Sequence, residues 1–203
     1  MITLYWCPRT RAARAMWLLE ELGEPYTLEV IDIRDPADRV RPDFLACSPL
    51  SKVPAIADGE VKIHDSATIG LYLADSYPAA GLAPAVDDPR RGDYLYWMLF
   101  TPGVLEPAMA EKHGGWATDR HRNGWGDFST MIETLERGVS NGPWLLGEQF
   151  TAADVLVGSS ANFIRMFGLL PENPAIEAYI DRCLARPAYQ RTLARDAELS
   201  GEN

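Results

Sequence analysis

Strand-forming patterns are confined to the first third of this chain, and that asymmetry restricts its fold more than any other feature. ITLYW (2–6) reads as a short strand. RAARAMWLLEEL follows with Ala12, Ala15, Met16, Leu19 and Leu22 at helical spacing, and Gly23 ends it. YTLEVIDI (26–33) alternates as a second strand, which completes a βαβ unit. After the irregular stretch RDPADRVRPDFLACSPLSK, the runs VPAIA and VKI flank Asp58-Gly59, a turn signal that makes them a hairpin. DSATIGLYLADSY reads as a helix. The order β-α-β, long connection, β-β-α over residues 1–77 predicts a small α/β layer.

PAAGLAPAVDDPRR is rich in proline, alanine and glycine and lacks periodicity, so residues 78–88 are expected to link two domains. Beyond it, over 89–203, the patterns are helical. RRGDYLYWMLFTPGVLEPAMAEK is a long helix that Pro102 should kink. HGGWATDRHRNGWG reads as a loop, and DFSTMIETLERGV, TAADVLVGSSANFIRM and PAIEAYIDRCLARPAYQRTLA as further helices. The expected class is therefore α/β followed by all-α.

At 203 residues the chain can bury a sizeable core. A net charge of −10 argues against nucleic acid as a main partner, because phosphate binding needs a basic surface. Cys7, Cys47 and Cys183 form no C-x-x-C pair and are odd in number, which fits a reducing compartment. No apolar run approaches the roughly 20 residues of a membrane span, and MITLYW enters a strand with no signal-peptide pattern. The expectation is a cytoplasmic protein that engages no membrane. His113 and His121 lack metal-ligand spacing, so no metal is expected.

Three short motifs carry structural or chemical meaning. In SKVPAI, Pro54 removes one ladder donor just before an apolar strand. It therefore belongs at a strand start or in a cis turn that aims the backbone of Val53 at an extended ligand. In HDSATIGLYL, Asp65 and Ser66 suit a helix N-terminus, either as simple caps or as a grip on an amino-acid head group. In FTAADVLVG, Thr151 and Asp154 have capping-box spacing, with Phe150 and Val155 placed for a hydrophobic staple.

Together, LYWCPRTRAARAMWLLEELGEPY, SPLSKVPAIADGEVKIHDSATIGLYLADSYP and GPWLLGEQFTAADVLVG resemble the cytosolic glutathione transferase family over almost the whole chain. The resemblance implies a thioredoxin-like N-terminal domain, an all-helical C-terminal domain, a homodimer, and glutathione as co-substrate. It makes Pro54 a cis-proline and Val53 the residue whose backbone pairs with the cysteinyl part of glutathione. Asp65 and Ser66 match the pair that holds the γ-glutamyl end, where glutamate is the commoner acid. Lys52 would lie near the glycyl carboxylate.

Such enzymes stabilise the ligand's thiolate, the nucleophilic form. A free thiol has a pKa near ~8.5, and lowering it by one unit takes about 1.4 kcal/mol. A helix N-terminus offers roughly 0.3–1 kcal/mol, whereas a hydrogen bond to a charged group is worth about 1.5–3 kcal/mol. A hydroxyl thus matters more than the dipole. Thr10 stands where the first helix begins and is the leading candidate; Tyr5 matches the strand-end tyrosine of other classes, and Cys7 suggests the cysteine classes. Arg9, Arg11 and Arg14 are unfavourable in a first helical turn, and their charge would suit a thiolate and the ligand's carboxylates. Tyr94 and Trp97 are expected to line an apolar pocket for the second substrate. The implied activity is thiolate attack on an electrophilic, largely apolar small molecule. The alternatives are a glutathione-dependent disulfide reductase or peroxidase using Cys7, and a non-catalytic glutathione-binding protein.

Overall fold

The computed structural model describes residues 1–200. The chain forms two compact units: Met1–Ala80 together with the residues from Arg186 on, and Gly81–Ala185. In the first, β1 (Ile2–Trp6) is followed by α1 (Ala12–Leu22), β2 (Tyr26–Val30), α2 (Pro36–Arg39) and α3 (Pro42–Cys47). The hairpin strands β3 (Ala55–Asp58) and β4 (Val61–His64) and then α4 (Ser66–Ser76) complete the layer. The sheet order is β2-β1-β3-β4, with β1 parallel to β2 and antiparallel to β3. This is the small α/β layer that the strand pattern predicts, in the thioredoxin-like arrangement that the family resemblance implies. Ile2, Leu4 and Trp6 of β1 are buried, as are Ala15, Met16 and Leu19 of α1 and Ile69 and Leu73 of α4.

Two details differ from the sequence reading. β2 ends at Val30 instead of running to residue 33, because Asp32 closes a turn by accepting the Arg34 N–H on its carboxylate (2.9 Å). The connection read as irregular holds two short helices, each with proline at its first turn, where the missing N–H costs nothing. The Asp35 carboxylate caps the first by accepting from Ala37 N–H (2.9 Å).

The second unit is helical. α5 (Arg91–Phe100) and α6 (Glu106–Gly114) are joined without a break by a π-helical segment, Thr101–Leu105. Pro102 lacks the amide that an α-turn needs, and the chain takes it up by widening: the Glu106 N–H bonds to Thr101 O, five residues back. α7 (Phe128–Val139) is capped by Asp127, which accepts from Thr130 N–H (2.7 Å). α8 (Ala152–Met166) starts at the expected capping box of Thr151 and Asp154. Phe150 packs edge-on against Trp144, ring centroids 4.8 Å apart. α9 spans Pro174–Leu184 behind an Asn173 cap.

The helix expected from residue 174 onward breaks before Pro187, since the residue preceding a proline is driven to extended geometry; Arg186 has ψ 136°. The resulting α10 (Pro187–Leu199) does not join the helical unit, as the expected 89–203 domain would have it, but belongs to the first. Its polar and aromatic partners explain why. Arg186 pairs with Glu21, and Arg191 Nε reaches Glu20 at 2.8 Å. The ring of Tyr189 meets Trp17 at 4.9 Å. No helix among the described residues is long and apolar enough to cross a membrane.

Candidate functional site

The turn between β1 and α1 is built around Thr10. Its hydroxyl donates to Cys7 O (2.7 Å) and accepts from Ala12 N–H (3.2 Å), so Thr10 caps α1 from two residues before its first helical position. Arg9, just before it, has a left-handed backbone with φ 57°. Thr10, Arg9, Arg11, Arg39, Lys52 and Val53 share a cleft of about 340 Å³.

An adjoining cleft of about 360 Å³ brings together Arg11, Lys52, Val53, Pro54, Asp65 and Ser66, the residues assigned to ligand binding from the sequence. The Val53-Pro54 bond is cis. Val53 stands outside the sheet, whose pairing starts at Ala55, and no hydrogen bond among the described residues takes up its N–H or C=O. The free peptide unit offers a donor and an acceptor side by side, the complement of an extended peptide. Asp65 has φ 76°, and its Oδ1 accepts from the N–H groups of Ala67 (2.9 Å) and Thr68 (3.1 Å). The capping contacts fall on Oδ1, so Oδ2 keeps its acceptor capacity. Ser66 opens α4 and is buried.

Sequence reasoning missed Ser48. It is fully buried, its hydroxyl donates to Lys52 O (2.8 Å) and accepts from Lys52 N–H (3.0 Å), and this double bond fixes the loop that delivers Val53. The serine in CSPLSK has no periodic neighbour to mark it. A third cleft, about 500 Å³, lies on the other side of the turn and is lined by Cys7, Pro8, Arg9, Asp32, Arg34 and Ser200 among others.

The charge of these walls contrasts with the chain's excess of acids. Elsewhere arginines are paired with carboxylates, as in Arg41 with Glu29 and Asp43, Arg90 with Asp88, and Arg165 with Asp181. The guanidinium groups of Arg34 and Arg39 and the ammonium of Lys52 form no ion pair among the described residues, and all three line the clefts. Cations held without acid partners beside a cleft favour an anionic ligand.

Several expected site residues lie elsewhere. Tyr5 is a core residue: it packs against Phe44 with ring centroids 5.6 Å apart, in a cluster with Ile31, Cys47 and Ala55, and burial pushes its hydroxyl up to about 12. A phenol so placed is absent from the walls of the clefts described above and does not ionise readily. Tyr94 and Trp97 are likewise interior. Tyr94 is fully buried, and Trp97 packs edge-on with Phe100 (5.0 Å) and against Gly138. They form part of the core of the helical unit. Arg14 is buried within α1 and is absent from the cleft walls. Cys7 is buried at the edge of the third cleft, and Cys7, Cys47 and Cys183 are all free thiols. No group of three His, Cys, Asp or Glu side chains among the described residues could hold a metal ion.

Residues 6–76 match the glutathione S-transferase N-terminal domain, and residues 128–187 match the glutathione S-transferase C-terminal domain. The chain is 29% identical to the disulfide-bond oxidoreductase YfcG of Escherichia coli, with 100% of this chain and 98% of that protein covered. It is 25% identical to glutathione S-transferase 3 of Zea mays, covering 95% and 93%. Among solved structures, a glutathione transferase from Methylococcus capsulatus superposes with a TM-score of 0.78 at 25% identity, over 98% of this chain and 100% of that one. A glutathione transferase homolog from Sulfitobacter, solved with bound glutathione, gives 0.74 at 25%, over 96% and 98%. With both of the family's domains matched in their order on a thioredoxin-like layer followed by helices, the chain belongs to the glutathione S-transferase family.

Proposed function

We propose that the protein binds glutathione on its thioredoxin-like unit and directs the ligand's thiolate at an electrophilic small molecule. The observation that carries this reading is the convergence of Arg11, Lys52, Val53, Pro54, Asp65 and Ser66 on one cleft that adjoins Thr10. In this reading the γ-glutamyl carboxylate meets the hydroxyl and backbone N–H of Ser66 at the start of α4, and the amine meets Asp65 Oδ2. The Val53 peptide unit pairs with the cysteinyl main chain, and Lys52 draws the glycyl carboxylate. The sulfur then lies at the turn. Thr10 serves it by rotating its hydroxyl from Cys7 O to the ligand.

That rotation limits the gain. A charged hydrogen bond is worth about 1.5–3 kcal/mol, and giving up the bond to Cys7 O costs about 1 kcal/mol, so Thr10 lowers the thiol pKa by about one unit. The guanidinium groups of Arg9 and Arg11 add to the effect. The test is affinity for immobilised glutathione together with conjugation of a chloronitrobenzene acceptor. Thr10→Ala is expected to raise the apparent thiol pKa by about one unit and lower kcat/KM about ten-fold near neutral pH, while Thr10→Ser retains both. Saturable glutathione binding without turnover over a broad acceptor panel would instead identify a binding protein.

The name of the Escherichia coli relative favours a second reading, glutathione-dependent disulfide reduction with Cys7 as the exchanging thiol. It requires that Cys7→Ser abolish reduction of a mixed disulfide and that mass spectrometry find glutathione on Cys7. Full activity of the Ser variant removes it. A cytoplasmic homodimer acting in detoxification belongs to the transferase reading, and Leu95, Tyr96 and Leu99 of α5 expose apolar surface that a second copy could cover.

A further inference from the structure

We infer that Ser51 is a positioning residue for the glycyl carboxylate of glutathione: by donating its hydroxyl to Arg39 O it holds α2 against the ligand loop, so that Arg39 and Lys52 meet that carboxylate as a pair. The inference rests on glutathione being the ligand of the Thr10 cleft. It goes beyond that reading, because it gives one serine control over the choice between ligands that carry this charge and ligands that lack it.

The loop from Ser48 to Val53 is closed on itself. Ser48 brackets Lys52 through its hydroxyl, and the Ser51 N–H donates to Ser48 O (2.8 Å). In this turn Ser51 sits at φ 55°, a left-handed backbone that glycine adopts freely and other L-residues disfavour. Glycine would serve the turn better; what serine adds is its hydroxyl. That hydroxyl leaves the loop and donates to Arg39 O at 2.5 Å. An unfavourable backbone kept beneath a side chain on a cleft wall points to a task for that side chain.

α2 needs such a tie. It has four residues and buries none of them, so apolar packing does not fix its place. The Arg39 carbonyl stands at the helix end, where no intrahelical donor follows, and Ser51 supplies one. Other contacts hold α2 toward β2: Asp38 Oδ2 accepts the Asp32 N–H (2.8 Å), and Arg41, two residues beyond Arg39, pairs with Glu29 and Asp43. Among the hydrogen bonds of the described residues, the one from Ser51 is the link between α2 and the loop that carries Lys52 and Val53. It gathers two cations on one wall. Arg39, Ser51 and Lys52 line the Thr10 cleft together, neither cation forms an ion pair among the described residues, and no acidic side chain lines that cleft. A carboxylate placed there is met by charge from both sides.

The experiment titrates the full chain by calorimetry with glutathione and with its glycyl monoethyl ester, which masks that one carboxylate. The proteins are the parent, Ser51→Gly, Ser51→Ala, Arg39→Gln, and Ser51→Gly combined with Arg39→Gln. Ser51→Gly removes the hydroxyl but leaves a residue that favours the turn, so the fold is kept. The parent is expected to prefer glutathione over the ester about ten-fold, each exposed cation contributing about three-fold. Ser51→Gly should weaken glutathione about three- to five-fold while the Kd for the ester stays within about two-fold of the parent's, and Ser51→Ala should behave alike. In the Arg39→Gln background, Ser51→Gly should have no further effect on glutathione, because it acts through Arg39. A merely structural serine would weaken both ligands alike. Equal losses for the two ligands, no loss in Ser51→Gly, a parent indifferent to the ester, or losses that multiply in the double variant each overturn the role of Ser51 and leave glutathione binding standing. A parent that binds neither ligand overturns the glutathione reading, and this inference with it.

Discussion

Asp154 shows how much one side chain can be asked to do in a helical unit. Buried at the start of α8, it accepts from the N–H groups of Leu145 and Thr151 (both 2.9 Å) and from the hydroxyls of Thr151 (3.2 Å) and Tyr179 (3.1 Å). The four donors favour its charge, but burial outweighs them and pushes the carboxyl up to about 6 from 3.8. The folded chain therefore binds a proton here that the unfolded chain has already lost between about pH 4 and pH 6. Stability from this group is fully present below about pH 4 and is lost as pH rises through about 6, a change on the order of 3 kcal/mol at most. Urea midpoints across that window should fall with rising pH in the parent. Asp154→Asn should flatten the slope while lowering stability throughout by about 1–3 kcal/mol, because an amide oxygen cannot serve four donors.

Between helices, α8 approaches α9 closely at Gly158. A Cβ added there would stand 2.6 Å from Cys183 Sγ and 3.1 Å from Cys183 Cβ, and the cysteine is fully buried. Alanine ordinarily gains about 1 kcal/mol over glycine within a helix. Here overpacking of about 1–3 kcal/mol works against that gain, and Gly158→Ala is expected to destabilise by up to about 2 kcal/mol in chemical denaturation. Cys183→Ala in the same chain should recover part of the loss, a coupling that distant pairs lack. The elements legible in the sequence were those with a long apolar stripe and a marked end: α1 closed by Gly23, α4 opened by Asp65, α8 opened by its capping box. α2 and α3 are too short to show a period, so the stretch that holds them reads as irregular. The Pro102 widening and the break at Pro187 depend on local hydrogen bonding that a periodic pattern does not display. At the candidate site, the meeting of Val53, Pro54, Asp65 and Ser66 in one cleft was legible because a proline before a strand and a cap at a helix end mark themselves in sequence. The burial of Tyr5, Tyr94 and Trp97 was not legible, because an aromatic's burial is decided by neighbours far away in sequence, such as Phe44 for Tyr5 and Gly138 for Trp97.

The molecule as a whole is arranged so that its first unit is discontinuous in sequence. Glu20 and Glu21 are mostly buried and owe their compensation to Arg186, Arg191 and Arg195, all on or next to α10. The Tyr26 hydroxyl also donates to Glu20 (2.7 Å), beneath the Arg195 guanidinium. Ending the chain at Ala185 would leave two buried carboxylates without cations and uncover Trp17. A loss of more than about 3 kcal/mol is expected for that unit, read by hydrogen exchange as fading protection in α1 and β2 while α8 and α9 keep theirs. The same closure by α10 orders events during synthesis. The thioredoxin-like residues emerge from the ribosome first but cannot bury the acids of α1 until Arg186 and its successors have been translated, whereas residues 81–185 are complete before that. Folding of this chain thus runs against the usual N-to-C sequence of domains, and the half that carries the proposed glutathione site is the half that matures last.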